Sequence, residues 1–312
     1  GNWLESRLQH WETEGKRLLA ENPNWRSKLE DPTVAAVLPP TYNPFLHKAL
    51  LRAAGADDTI VDEILKGVRM AGSGTPTGFF DTLPSAEYKD FKRFDDELSK
   101  ALKRGPEHLK KLLSKRQPEE GQQSVLKQTK DEADEGKFDG PWDVYRKADG
   151  SIHSDIPFDT YLPTLRFPRA QGDRDSTSYK FRPIDDCSGS GLNSSTGFSE
   201  QMRMHGLETL LACAHECRVA FADLGEEGEP VFAKGDHEKA YRQWPVFPGD
   251  RHLLLTLVWD ESLGPHRGFK AYAHRALPFG ALRAVWVYTA ISQGVCAILR
   301  RLLAVPQLAY VD

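Results

Sequence analysis

Residues 240–246 read AYRQWPV, and four positions ahead of them stands Asp236, at the end of the run VFAKGD, residues 231–236. The run is short, apolar and closed by Gly, the pattern of a buried strand. The last four residues, AYVD, place Asp312 at the end of a second strand-like run over 308–311. Side chains alternate along a strand, so two adjacent strand ends can bring their carboxylates side by side. Such a pair repels unless a cation lies between. Mg²⁺ suits the place: it is hard, prefers oxygen, keeps several waters and is shared with phosphates. An aspartate at one strand end is ordinary turn chemistry, so the pair takes its meaning from its neighbours.

Around these two runs the C-terminal half alternates strands and helices. Residues 178–186 read as a strand and 207–217 as a helix. Residues 253–259 form a stronger strand, with 271–275 pairing to it across the turn DESLGPHRG. Residues 281–304 form one long helix, ended by Pro306. This order predicts an α+β fold, an antiparallel sheet with helices on one face.

The first 140 residues read as a mainly helical region of unknown role. Trp3, Leu4, Leu8, Trp11, Leu18 and Leu19 make one helical stripe before Pro23. Residues 45–54 and 59–70 are two more helices, with Asp58 as N-cap of the second. AGSGTPTGFF is loop. A helix from Ser85 carries Tyr88, Phe91, Phe94, Leu98 and Leu102. Gly105-Pro106 is expected to stop it and start another with Leu109, Leu112 and Leu113. Lys100 to Arg116 is the densest basic stretch, which a solvated helix face explains more simply than a phosphate contact. A polar linker is expected between Gln117 and Pro141.

The 312 residues are 39% hydrophobic, enough for two compact domains or one core with a large extension, and unlike a disordered chain. The formal net charge is −4, so a nucleic-acid surface would need its cations gathered on one face. Cys187, Cys213, Cys217 and Cys296 read as free thiols of a reducing compartment. CAHEC, residues 213–217, has the wrong spacing for common zinc sites and reads as helix with core cysteines. Residues 284–305 are the most apolar stretch but are broken by Gln293, Gly294, Arg300 and Arg301, and no secretion signal is visible, so an intracellular place, cytoplasmic or nuclear, is expected. Residue 1 is Gly, not Met, so the chain is expected to be a piece of something longer.

Four segments together resemble a known family. DHEKAYRQWPV, residues 236–246, resembles the first palm motif of reverse transcriptases, above all those of retrotransposons. ALPFGALRAVWVYTAIS, residues 276–292, resembles their next motif, a Leu-Pro-Phe-Gly turn that opens a helix. YVD, residues 310–312, is similar to the start of their Tyr-x-Asp-Asp hairpin. STSYKFRPIDDCSGSGLN, residues 176–193, is similar to the fingers segment with its Lys-aromatic-Arg core. The resemblance covers residues 161–312 and follows the family order. It implies right-hand polymerase fingers and a partial palm over 141–312, incomplete at the C-terminal end.

What the resemblance implies is two-metal transfer of deoxynucleotides to a primer 3′-hydroxyl, with Mg²⁺ (or Mn²⁺) as cofactor and an RNA or DNA template-primer and dNTPs as partners. Asp236 and Asp312 would be the catalytic carboxylates and metal ligands, joined by the main-chain carbonyl of His237. Arg182 would grip the triphosphate bidentately, with Lys180 beside it. Tyr241 would pack on the sugar and exclude a 2′-hydroxyl. Gln243, Pro278, Phe279 and Gly280 would line the nucleotide and template side. Arg174 is the nearest candidate for a second phosphate-binding cation, and Ser188 stands where the family has arginine. A basic groove is expected near Lys180, Arg182 and Arg242. The 312-residue chain by itself is expected to have little or no activity. A palm-fold RNA polymerase and a decayed, non-catalytic nucleic-acid-binding remnant are the alternatives.

Overall fold

The computed structural model describes residues 2–74, 76–83, 91–114, 120–202, 206–225, 235, 237–263 and 268–309. The fold is mixed α and β with a helical N-terminal region. Its centre is a six-stranded sheet built from β1 (Phe138–Arg146), β2 (Ile152–Ser154), β3 (Pro163–Gln171), β4 (Lys180–Asp185), β5 (Leu255–Trp259) and β6 (Gly268–His274), in the order β2-β1-β6-β5-β3-β4. All neighbours are antiparallel except β3 and β5, which run parallel with Leu165 opposite Leu257. The expected pairing across DESLGPHRG is present as β5 with β6, Ala271 opposite Leu257.

Helices α1 (Asn2–Glu21), α2 (Pro32–Val37), α3 (Pro44–Ala53) and α4 (Thr59–Lys66) make up the N-terminal region. Asn43 and Asp31 cap α3 and α2 through their side chains. Asp58 occupies the N-cap of α4 without a capping bond. Its carboxylate pairs with Arg52 at 2.8 Å, and Asp57 accepts from the Thr59 amide instead. Gly67, at φ +86°, ends α4 four residues before the expected 70. The C-terminal helices are α7 (Leu207–Asp223) and α8 (Leu282–Leu303).

Two corrections concern the middle of the chain. Gly105-Pro106 does not break the helix: α5 (Phe91–Ser114) runs through with Pro106 inside it. The expected linker holds helix α6 (Gln122–Asp134) and the start of β1. α6 is polar except for a narrow stripe with Val125, Leu126 and Thr129 buried, which explains its loop-like composition.

A third correction is that helices cover both faces of the sheet. Leu109, Leu112 and Leu113 of α5 pack with Val144, Leu255, Leu257, Phe269 and Ala271 on one face. Val125 and Leu126 of α6 pack with Phe138, Val258 and Tyr272 on the other. Leu257 and Val258 are consecutive and serve opposite faces, as the strand period requires. Along α5 the basic residues Lys100, Lys103, Arg104, Lys110 and Lys111 face solvent, and Lys100 and Lys110 pair with Glu97 and Glu107 three residues earlier. Exposure of these side chains fits both a solvated face and a phosphate-facing surface; Arg116 lies outside the described residues.

Helix α8 joins the halves. Trp286, Val287 and Ile291 share a core with Leu38, Ile64, Val68 and Met70 from the N-terminal region and with Tyr241, Trp244 and Leu254. Further along, Ile298 and Leu302 pack on Leu51 of α3 and Val61 of α4. By length and hydropathy α8 passes the test for a membrane span, but 78% of its most apolar window is buried within the protein, as a core helix is. Of the expected strand over 308–311, residues 308 and 309 are irregular and the rest is outside the described residues, as is 231–234.

Candidate nucleotide site

The Leu-Pro-Phe-Gly turn, residues 277–280, connects β6 to α8. It is held from three sides. The Asp185 amide, at the end of β4, donates to the Phe279 carbonyl at 3.0 Å. Asn193 clamps the helix entry: its Nδ2 donates to the Gly280 carbonyl at 3.0 Å and its Oδ1 accepts from the Leu282 amide at 2.8 Å. The Leu277 amide donates to the Trp244 carbonyl at 2.9 Å. Gly280 sits at φ +107°, and a Cβ there would stand on the Asp185 carbonyl oxygen. The turn thus needs glycine both for its backbone angle and for this close approach.

Tyr241 lies under the turn, 4% exposed, its ring edge-on to Phe279 at 4.8 Å between centroids and to Tyr288 at 5.2 Å. Pro278 is buried, Phe279 half-buried and Gly280 exposed. His237 is exposed, with Nδ1 2.6 Å from the Tyr288 hydroxyl. Gln243 is half-buried and donates to the Glu238 carbonyl. Asp236 and Asp312 lie outside the described residues. Among those described, no three His, Cys, Asp or Glu side chains gather as a metal site.

Lys180 and Arg182 are exposed on β4, two residues apart on one face, and Arg169 stands opposite Arg182 in register. Arg182 Nε donates to Gln171. These cations do not touch the turn; Asp185, which does, is three residues further along the strand, roughly 10 Å. Arg174 pairs with Glu120 at 2.6 Å in solvent, and Ser188 accepts from Asn193 at 3.0 Å.

Arg242 does not belong to an open basic groove. It is 3% exposed, at the centre of a polar cluster that the sequence reading missed. Glu132 Oε2 accepts from both Arg242 Nη2 at 3.0 Å and Arg166 Nη2 at 3.1 Å. Arg242 Nη1 donates to His274 Nδ1 at 2.9 Å and to the carbonyls of Ala276 at 2.9 Å and Leu277 at 3.3 Å. His274 Nε2 is 3.3 Å from Asp185 Oδ2, and the Thr256 hydroxyl donates to Asp185 Oδ1 at 2.6 Å. Both guanidinium groups lie over the Phe138 ring, at 5.2 and 4.8 Å.

Burial acts to raise the Asp185 carboxyl, but Arg166 and His274 overcome it and hold the group below the usual carboxylate range. Glu132 is likewise lowered, burial being outweighed by Arg242 and Arg166. Burial pushes His274 down to about 4, so its ring is neutral near pH 7. The cysteine expectation is also revised: Cys213 and Cys217 are half-buried on α7, where Leu211 is 62% exposed and Leu224, just past its end, 75%, and they do not form a core.

No protein family, characterised protein or solved structure matches this chain when it is compared with them.

Proposed function

We propose that the chain carries the fingers and part of the palm of an RNA-directed DNA polymerase of a retrotransposon-like element. One observation supports this most. Three stretches that resemble separate polymerase motifs meet by direct contact: Asp185 and Asn193 bond to Phe279, Gly280 and Leu282, and Tyr241 packs on Phe279. A nucleotide pocket needs this kind of assembly, since sugar, base pair and phosphates must be met from different elements at fixed spacing.

In this reading Arg182 and Lys180 meet the triphosphate, where exposed cations suit a charged, diffusing ligand. Gly280 and Phe279 face the nascent base pair. Tyr241 beneath them makes the sugar pocket too shallow for a 2′-hydroxyl. Asp236, Asp312 and the His237 carbonyl are the ligands the reading assigns to Mg²⁺, which when bound would activate the attacking hydroxyl and stabilise the leaving pyrophosphate. Template-primer and dNTPs are the partners.

Primer extension on an RNA template by a protein that contains this chain tests the reading. DNA synthesis from dNTPs is expected, and Tyr241→Ala is expected to let rNTPs in. Preference of the unaltered protein for rNTPs would favour an RNA polymerase. No synthesis with either would leave the binding remnant.

A further inference from the structure

The nucleotide-transfer reading gives no role to the polar cluster under the turn, whose hydrogen bonds run through Arg242 and Glu132 while Arg166 Nε and Nη1, Arg242 Nε, His274 Nε2 and Asp185 Oδ2 are buried without a hydrogen bond. Glu132 comes from α6, Arg166 from β3, Asp185 from β4, His274 from β6 and Arg242 from the short 240–243 turn. Arg166, Arg242, Asp185 and His274 are each at most 3% exposed. A guanidinium has no acceptor, so His274 Nδ1 must accept from Arg242, which leaves the ring proton on Nε2, facing Asp185. With His274 neutral, two guanidinium charges face two carboxylates. Buried ion pairs are often replaceable by apolar side chains of similar volume without loss of stability, so stability is a weak reason for the cluster. Directional bonds fix geometry instead, and here they converge on one object. Arg242 holds the turn at carbonyls 276 and 277, and Glu132 ties Arg242 to Arg166 of β3; the Asp185 main-chain amide holds the turn at carbonyl 279, and His274, bonded to Arg242, stands 3.3 Å from the Asp185 carboxylate without a hydrogen bond between them.

We infer that Glu132, Arg166, Asp185, Arg242 and His274 form a positioning network that fixes the Leu-Pro-Phe-Gly turn relative to the β3–β4 hairpin bearing Lys180 and Arg182. The two surfaces then keep one spacing, so a nucleotide meets its base-pair contacts and its phosphate contacts together. What those surfaces bind rests on the polymerase reading; the mechanical coupling does not.

Amide hydrogen exchange on the 312-residue chain tests the coupling. The Leu277 and Leu282 amides, bonded to Trp244 and Asn193, report on the turn. In His274→Leu they are expected to exchange about tenfold faster, with the interior of α8 unchanged. His274→Gln, which can accept from Arg242 and donate to Asp185, restores protection. Thr256→Val removes one Asp185 partner at constant volume and gives a smaller rise in the same amides; it carries the test if His274→Leu does not fold. In primer extension His274→Leu raises KM for dNTP about tenfold, with kcat moved less, because a small misplacement spoils simultaneous contact. Turn amides unchanged in Thr256→Val and in folded His274→Leu would overturn the inference, as would a loosened turn with unaltered KM. A loosened turn in a protein that never takes dNTP supports the coupling and removes the polymerase reading instead.

Discussion

At Gly280 the backbone angle and the Asp185 carbonyl both exclude a side chain, whereas Gly136 has φ +76° with open space around it. Gly136→Ala therefore meets backbone strain alone, of the order of 1 kcal/mol. Gly280→Ala meets the strain and a clash that only movement of β4 relieves, so its loss of stability exceeds that of Gly136→Ala by at least about 1 kcal/mol. Denaturant melts of the two variants measure the difference. At His274 the sign of the pH effect follows from burial. The folded protein holds the ring down to about 4, against an ordinary value of 6.5, so the unfolded chain takes up the proton first. The stabilisation is complete above about pH 6.5 and is lost as pH falls toward 4, by at most about 1.4 kcal/mol per pH unit. His47, also held to about 4 by burial, adds a slope of the same sign. His274→Gln is expected to flatten the acid limb of a stability-against-pH curve by one histidine's share while leaving that of His47.

Helix α5 keeps Gly105 for packing: a Cβ there would press on the Tyr161 carbonyl, just ahead of β3. Pro106 next to it is exposed and removes one helix donor. Gly105→Ala is expected to destabilise the protein and Pro106→Ala to stabilise it by about 1 kcal/mol or more, opposite signs at adjacent positions that thermal unfolding can read. Gly-Pro read in sequence means a helix end, because the packing partner that explains the glycine is more than fifty residues away. The strong apolar periods were legible: 178–186, 253–259 with its partner, and 281–304 all formed close to their expected bounds. α6 was not, since its buried stripe holds only Val125 and Leu126 as large apolar residues and its polar faces look like loop. At the candidate site the meeting of Tyr241, Phe279 and Gly280 followed from the motif resemblance. The buried network did not, because Glu132 and Arg242 lie 110 positions apart and each, by residue type, reads as surface.

Across the whole molecule the net charge is −4, so nucleic acid would be held by local cations against an unfavourable background. Arg169, Lys180 and Arg182 on the hairpin are exposed, whereas Arg242 is spent internally on Glu132. Neutralising Lys180 and Arg182 together is expected to reduce the slope of log K against log salt for duplex template-primer by about 1.8, two phosphate contacts' worth. Titrations at several salt concentrations would read it. The proposed polymerase requires Asp236 and Asp312 to share one cation. Mn²⁺, which oxygen-rich Mg²⁺ sites also accept and which electron paramagnetic resonance detects, probes that directly. Titrated into the 312-residue chain, it is expected to fill a site that Asp236→Asn and Asp312→Asn each weaken about tenfold or more. Mn²⁺ uptake that ignores either substitution, or that loses a different site with each, would contradict it.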